Sequence, residues 1–288
     1  MSQIKAIIKS MRPKHWIKNM FVFAALLFAS QFTDLKSVAF SIATFFLFSF
    51  TASSIYLLND VVDCEDDKKH PVKRFRPIPS GLLSKELALA VCILLGSGTL
   101  LTSLVISPWL TMVLLAYYVN NLLYTFKFKH VVICDILMIA AGFVLRAVGG
   151  AFAIGVSISN WFLIITFLLT IFLAIMKRRQ EFVVIDKDGG EKRRVLDHYT
   201  VELLDQMANI MIPSVLVSYI FYTFNTFHTR YFIFTIPLVI YGIFRYLYLV
   251  HMKDMGESPV DTLIKDIPLM LTVISWGVMS LILIYIYE

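Results

Sequence analysis

Residues 38–58 read VAFSIATFFLFSFTASSIYLL and run without a break into Asn59-Asp60-Val61-Val62-Asp63-Cys64-Glu65-Asp66-Asp67. The first part carries no charge and has the length, about 20 residues, that an α-helix needs to cross a hydrocarbon core. The second part is acidic at once. Together they predict a membrane-crossing helix that delivers carboxylates to one surface of the bilayer.

The apolar pattern repeats outward from that stretch. Leu87–Ile106, Val131–Val156 and Trp161–Met176 are similar blocks, and 58% of the 288 residues are hydrophobic while only 16% are charged. A soluble domain runs at roughly 25% charged. Blocks and breaks give nine candidate spans, near 19–33, 38–58, 87–106, 110–126, 131–156, 160–176, 205–225, 231–250 and 267–287. Lys and Arg orient them, because cytoplasmic loops are enriched in both. Segments 1–18, 59–86, 127–130, 177–204 and 251–266 hold 22 of the 26 basic residues, whereas the alternate loops hold only Lys36 and Arg230. The expected fold is therefore an all-α integral membrane protein, a bundle of about nine transmembrane helices with a cytoplasmic N-terminus. No loop exceeds about 30 residues, so one membrane domain over residues 1–288 is expected. The basic N-terminal run followed by an apolar stretch has the composition of a signal peptide, but eight more apolar blocks follow it. The net charge of +6 needs no nucleic-acid partner, since topology and phosphate binding account for it. Cys64, Cys92 and Cys134 are too scattered for a metal site and read as reduced thiols.

The acidic stretch has the form N-D-x-x-D-x-x-x-D. On a helix Asn59, Asp63 and Asp67 recur every four residues, so an amide and two carboxylates share one face with Asp60 beside them. Hard Mg²⁺ takes such oxygen ligands, usually together with substrate phosphates. A basic run follows directly: Lys68, Lys69, His70, Lys73, Arg74 and Arg76 lead into the rigid turn Pro77-Ile78-Pro79-Ser80-Gly81. Carboxylates for a metal and cations for phosphate within twenty residues predict phosphate-transfer chemistry rather than a solvated charge run.

N-D-x-x-D-x-x-x-D followed by H-P-x-K-x-x-R-P-x-P-S-G resembles the UbiA-type polyprenyl transferase superfamily. That resemblance implies a bundle of about nine helices in which Asn59, Asp60, Asp63 and Asp67 hold Mg²⁺ against a diphosphate leaving group, with Asp60, Asp63 and Asp67 as the catalytic carboxylates. Aromatic prenyltransferases of this type carry a second aspartate motif after the sixth span. Here the loop opens Lys177-Arg178-Arg179-Gln180-Glu181, continues to Arg193, Arg194, Asp197 and Tyr199, and places Asp186 and Asp188 too close together for a D-x-x-x-D face. One acidic wall and one basic wall suit a substrate richer in phosphate than a prenyl diphosphate.

Arg12-Pro13-Lys14-His15-Trp16-Ile17-Lys18-Asn19 has two readings, an interfacial anchor, where Trp is favoured, or part of the site. With Asp135, the Gly142–Arg146 segment and the K-R-x-x-E loop, this R-P-x-x-W-x-K-N opening resembles the polyprenyl-phosphate phosphoribosyltransferase branch of the superfamily, typified by decaprenyl-phosphate phosphoribosyltransferases. Arg146 lies inside a span, where a charge costs at least about 2.5–3.5 kcal/mol and must face the bundle interior. It meets either a phosphate, a carboxylate of another helix, or a structural partner; Asp135, three turns earlier, is about 16 Å away on the same face and lines the same cavity. Tyr124 and Lys129 fit the family's Y-S-x-x-x-K pattern with Thr125 in place of Ser, and Lys129 serves either substrate or topology. Ala147, Ala151 and Gly155 recur every four residues and predict close helix packing.

The expected reaction joins C1 of phosphoribosyl diphosphate to the phosphate of a polyprenyl phosphate and releases diphosphate. Cations from Lys18, Lys73, Arg76, Lys129, Arg146, Lys177, Arg178 and Arg194 position phosphates, and Asn19, Tyr124, Asp135, Glu181 and Tyr199 complete the substrate-binding set. Two alternatives stand beside it. One is a prenyltransferase moving a polyprenyl group from its diphosphate to an aromatic or glyceryl acceptor. The other is a transporter, which would more often place acidic residues at mid-membrane in paired halves. The lipid partner and the basic loops imply a multi-pass plasma-membrane protein with its active site on the cytoplasmic side.

Overall fold

The computed structural model describes residues 3–69, 72–188, 194–225 and 230–287. Among them all regular structure is helical: α1 (Gln3–Met11), α2 (Ala24–Phe28), α3 (Leu35–Val62), α4 (Cys64–Lys69), α5 (Lys85–Ile106), α6 (Pro108–Phe126), α7 (Cys134–Ile154), α8 (Asn160–Asp188), α9 (Val201–Asn225), α10 (Ile236–Met252), α11 (Pro259–Lys265) and α12 (Ile267–Tyr287). Side chains cap the starts of two of the long helices. Asp34 caps α3 by accepting from the Ser37 backbone N–H at 2.9 Å, and Ser84 caps α5 through Leu87.

Among the described residues seven helical stretches are long and apolar enough to cross a membrane: α3, α5, α7, α8, α9, α10 with the turn before it, and α12. The other two expected spans differ from the sequence expectation for identifiable reasons. Residues 19–33 are not one α-helix. Pro13–Phe23 winds as a 3-10 helix, α2 adds five residues, and Ser30 turns left-handed (φ 53°) before a second 3-10 turn at Gln31–Thr33. The 110–126 block does form α6, but Tyr117, Tyr118, Asn120, Asn121 and Tyr124 make its second half less apolar than the seven.

The chain divides into two compact units, one of residues 1–126 with 145–157 and one of residues 127–144 with 158–288, so α7 gives its first half to one and its second half to the other. The core of the first unit is built on Phe48, Leu110, Leu114 and Tyr117, with a second cluster of Ala6, Leu57, Cys64, Ile78, Leu83 and Ala88 at the acidic end of α3. Small buried polar residues such as Ser49, Thr51 and Ser53 let helices approach α3 closely, as in Thr51 Oγ1 to Thr99 Oγ1 of α5 at 3.1 Å. The core of the second unit packs Ile136, Phe172, Ile175, Met176, Leu204, Tyr246 and Leu249. Its α10 and α12 are tied by Arg245, which donates to both oxygens of Asp266 at 3.1 and 2.8 Å while Asp266 caps α12 through Leu269. The three cysteines are free thiols.

Of the four-residue repeat in α7, Ala147 and Ala151 pack closely and Gly155 does not. Ala147 and Ala151 are buried, but Gly155 is left-handed (φ 69°) with nothing within 4 Å of an added Cβ, so it ends the helix instead of packing it. The tight approach is made by Gly149, where a Cβ would lie 2.5 Å from the Phe48 ring, and by Gly150, where it would lie 2.0 Å from the Val22 carbonyl oxygen. A backbone oxygen cannot swing away as a side chain can. Gly150→Ala is therefore expected to destabilise the protein by about 1–3 kcal/mol, read as a lower thermal midpoint in detergent. Gly277→Ala, which meets nothing within 4 Å in α12, serves as the neutral control.

Candidate active site

The acidic motif belongs wholly to the first unit. α3 ends at Val62 and α4 begins at Cys64, so the helix breaks at Asp63 rather than running on to Asp67. The four-residue ladder survives the break nonetheless: Asp63 N–H donates to Asn59 O and Asp67 N–H to Asp63 O, both at 2.8 Å. Asp60 and Asp67 turn inward and are buried, Asp63 is half-buried, and Glu65 and Asp66 are exposed. Glu65 instead pairs at the surface with Lys68 at 3.1 Å and Lys85 at 2.8 Å, and its hydrogen bonds to Lys85 and Lys68 hold its carboxyl below the usual range. The motif thus separates into a dry inner pair and a wet outer face.

Cations meet the inner pair. Arg76 Nη1 donates to Asp60 Oδ1 at 3.1 Å and to Asp67 Oδ2 at 2.6 Å, bridging the two carboxylates, and Lys73 Nζ lies 3.9 Å from Asp67 Oδ1. A second guanidinium, that of Arg12, also bonds Asp60 Oδ1 and stacks 4.9 Å above the Tyr56 ring. Arg12 was read in sequence only as part of the N-terminal opening and not as a site residue. Its signal was the proline after it, which disfavours helix at residue 12 and ends α1 at Met11; Arg12 itself is left-handed (φ 54°).

The rest of that opening lies along α3. Trp16 Nε1 donates to Ser53 Oγ at 3.1 Å, and Asn19 Nδ2 to Ser49 Oγ at 2.9 Å. Asn19 is fully buried and its Oδ1 accepts from Arg146 Nε at 2.6 Å. Arg146 also donates Nη2 to Tyr117 OH at 2.6 Å, with its guanidinium 4.8 Å over the same ring. The membrane-embedded arginine is thus held on two neutral oxygens and an aromatic face of the bundle interior, Tyr117 being a partner that spacing did not reveal. Lys18 and Tyr124 are half-buried in this unit.

In the second unit four of the expected residues converge. Arg178 Nε donates to Asp135 Oδ2 at 2.7 Å and its Nη1 to Glu181 Oε2, while Tyr199 OH donates to Asp135 Oδ1 at 3.0 Å and accepts from the Ile133 N–H at 2.7 Å. Asp135, Arg178 and Tyr199 are buried. Burial pushes the Tyr199 phenol up, so it keeps the proton it donates. Lys177 Nζ lies 3.6 Å from Glu181 Oε1 on the exposed side. Arg179 instead pairs with Asp205 at 2.6 Å, and Lys129 is half-buried in the 3-10 turn Phe128–His130. His70 and Arg193 lie outside the described residues, as do the side chains of Asp186, Asp188 and Arg194.

The inner motif offers the donor set of a hard cation. Its side chains supply amide and carboxylate oxygens, and Asn59 Oδ1 is buried yet accepts no hydrogen bond among the described residues. No group of three or more His, Cys, Asp or Glu side chains is gathered for a metal among those residues, and a guanidinium stands between Asp60 and Asp67. The residues fit Mg²⁺ in kind.

Removing one charge from a buried pair leaves the other uncompensated, which costs about 3–5 kcal/mol. Arg178→Met is expected to destabilise by that order, and Tyr199→Phe by about 1–3 kcal/mol. An Asp135→Leu/Arg178→Met double variant should regain much of the loss, as apolar replacement of a whole buried pair often does. Thermal unfolding in detergent reads all three; a double variant worse than the sum of its parts would refute the pairing.

A family model described as the UbiA prenyltransferase family matches residues 19–260, which reach into both units. The decaprenyl-phosphate phosphoribosyltransferase of Mycobacterium tuberculosis is 31% identical over 280 residues, covering 95% of this chain and 92% of its own. That of Corynebacterium glutamicum is 33% identical over 291 residues, covering 97% and 87%. Among solved structures, a UbiA homologue from Archaeoglobus fulgidus bound to DMAPP and Mg²⁺ superposes with a TM-score of 0.73 at 17% identity, covering 97% of this chain and 99% of its own. The chain is a multi-pass membrane enzyme that belongs to the UbiA prenyltransferase family.

Proposed function

We propose that this protein transfers the 5-phosphoribosyl group of phosphoribosyl diphosphate to a polyprenyl phosphate. The observation that carries this reading is the chemistry of the K-R-x-x-E segment of α8. Where a second acidic pair would serve a second metal, α8 carries Lys177 and Arg178 instead: Arg178 is held between Asp135 and Glu181, and Lys177 stands beside Glu181 at the half-exposed edge. The phosphoribosyltransferases of M. tuberculosis and C. glutamicum, aligned over nearly the whole chain, support the same donor.

In the proposed reaction an oxygen of the lipid phosphate attacks C1 of the ribose as the C1–O bond to diphosphate breaks. The attacking oxygen is already anionic, so no strong general base is needed. Asn59, Asp60, Asp63 and Asp67 would hold Mg²⁺, which supplies Lewis-acid neutralisation of the charge developing on diphosphate. Arg76 and Lys73, which meet the inner pair and are themselves partly exposed, bind phosphate oxygens. Asn19 fixes the Arg146 guanidinium, and the Asp135–Arg178–Tyr199 network fixes Glu181 and with it Lys177. Lys18, Tyr124, Lys129 and Arg194 complete the substrate-binding set. The whole chain acts as one transferase domain, with residues 13–28 and α6 completing nine crossings. Cytoplasmic placement of the N-terminus and active site, in the plasma membrane, is supported by the side bias of the basic residues.

Purified protein in detergent is offered labelled phosphoribosyl diphosphate with polyprenyl phosphate, and separately prenyl diphosphate with 4-hydroxybenzoate, each with Mg²⁺ or chelator. Label should enter lipid only in the first pair and only with Mg²⁺; product from the second pair alone would overturn the proposal in favour of prenyl transfer. Asp63→Asn should lower turnover at least about a hundredfold, the order expected for loss of one group stabilising transition-state charge.

A further inference from the structure

Asp60 and Asp67 are not waiting as bare ligands. Asp60 Oδ1 accepts from both Arg12 and Arg76, which fills the two lone-pair directions of that oxygen, and Asp67 gives Oδ2 to Arg76 and has Lys73 near Oδ1. Mg²⁺ demands near-ideal octahedral geometry at about 2.0–2.1 Å from its oxygens. It cannot take Asp60 Oδ1 or Asp67 Oδ2 while the guanidinium groups hold them, and binding through the opposite oxygens, with Lys73 3.9 Å from Asp67 Oδ1, would set a dication against those same cations. Nor can arginine yield by losing a proton, since its pKa keeps it charged in any protein. We propose that Arg12 and Arg76 are exchangeable counter-ions of the acidic motif: they close it in the substrate-free protein, and they hand Asp60 and Asp67 to the metal only when a diphosphate arrives to receive the guanidinium groups in turn. This inference deepens the proposed function and rests on its metal–diphosphate reading, though not on the phosphoribosyl donor.

Two observations give the exchange its direction. The first is exposure. The side chains of Arg12 and Arg76 are 24% and 31% exposed, those of Asp60 and Asp67 only 2% and 4%, so an incoming ligand meets the cations before the carboxylates. The planar fork of arginine suits phosphate as well as carboxylate, so a diphosphate offers each guanidinium an equivalent partner. The second is charge. Two carboxylates and two guanidinium groups already balance, and a divalent cation entering alone would leave an uncompensated positive charge beside buried groups. Metal and diphosphate entering together bring charges of opposite sign that largely offset one another. Asn59 Oδ1, buried and without a hydrogen bond among the described residues, is a neutral oxygen beside the motif that no guanidinium claims. Metal and diphosphate binding must then be coupled, and by linkage the coupling is the same from either side.

The probe is Mn²⁺, counted by its free-ion resonance in solutions of the full chain in detergent, with and without inorganic pyrophosphate and with protein-free controls for chelation. Wild type is expected to bind Mn²⁺ weakly alone and at least about tenfold tighter with pyrophosphate, within the usual range of coupling. Arg76→Gln should bind Mn²⁺ alone about fivefold or more tighter than wild type, and its coupling should shrink to about threefold or less. Arg76→Lys, which keeps the charge but cannot bridge both carboxylates, should fall between. If Arg76→Gln fails to elute as a folded monodisperse species, Arg12→Gln is read in the same way. A variant that binds Mn²⁺ no tighter than wild type without pyrophosphate overturns the exchange, as does wild type that binds Mn²⁺ equally well with and without pyrophosphate. Pyrophosphate is common to both candidate donors, so a chain that proves to transfer prenyl groups would fail the two-donor assay and still pass this one.

Discussion

A buried carboxylate is tolerable only with a cation at hydrogen-bond distance, and the first unit is organised around meeting that need at Asp60 and Asp67. α3 brings Asp60 to its end and α4, after the break at Asp63, brings Asp67 beside it, and the two guanidinium groups arrive from opposite directions along the chain. Arg12 comes from the segment before the first long helix, Arg76 from the Pro-rich turn that leads into α5. Each has its own fixture: Arg12 its left-handed backbone and the Tyr56 ring, Arg76 the rigid Pro77–Pro79 turn that follows it. The loops on either side of α3 are therefore not mere connections. They supply the charge that lets its acidic end exist.

The same residue type solves the same problem elsewhere. Arg178 sits between Asp135 and Glu181, Arg245 grips both oxygens of Asp266, and Arg146 is held by Asn19 and the face of Tyr117. Arginine suits these places because its fork donates in several directions at once and is more weakly hydrated than an ammonium. The lysines that accompany them, Lys73 and Lys177, stand on the exposed side. Inner arginine and outer lysine recur in both units: at each site an arginine makes the closest contacts to the carboxylates and a lysine stands farther out.

Much of this was legible in the sequence, and the exceptions follow a pattern. Hydropathy found α3, α5, α7, α8, α9, α10 and α12, because long uncharged runs have one physical meaning. It did not reveal how residues 19–33 wind: the apolar composition is real, but Trp16 and Asn19 reach serines on α3, and a tighter winding does that better than an α-helix. Four-residue spacing identified the Asn59, Asp63 and Asp67 ladder, which persists even though the helix breaks at Asp63. It misassigned Gly155, because a repeat of small residues does not reveal which of them is left-handed. Asp135, Arg178, Glu181 and Tyr199 were each singled out, yet their union in one buried network was not, since pairs 43 and 64 residues apart leave no periodic trace. Arg12 was missed as a site residue for the same reason, lying 48 residues from Asp60.

The 3-10 segment Pro13–Phe23 acts as a ruler. Arg12 meets Asp60, Trp16 meets Ser53 and Asn19 meets Ser49, so seven residues of this segment keep pace with eleven of α3. At about 2.0 Å per residue a 3-10 helix covers about 14 Å over that interval, close to the roughly 16.5 Å that α3 traverses, whereas an α-helix of the same length would cover only about 10.5 Å. The stretched winding is what allows one short segment to touch the acidic motif at one end and Arg146 at the other. Its length is accordingly a harder constraint than most of its side chains: exchanging an outward residue leaves the scale intact, but inserting or removing one shifts every graduation against α3.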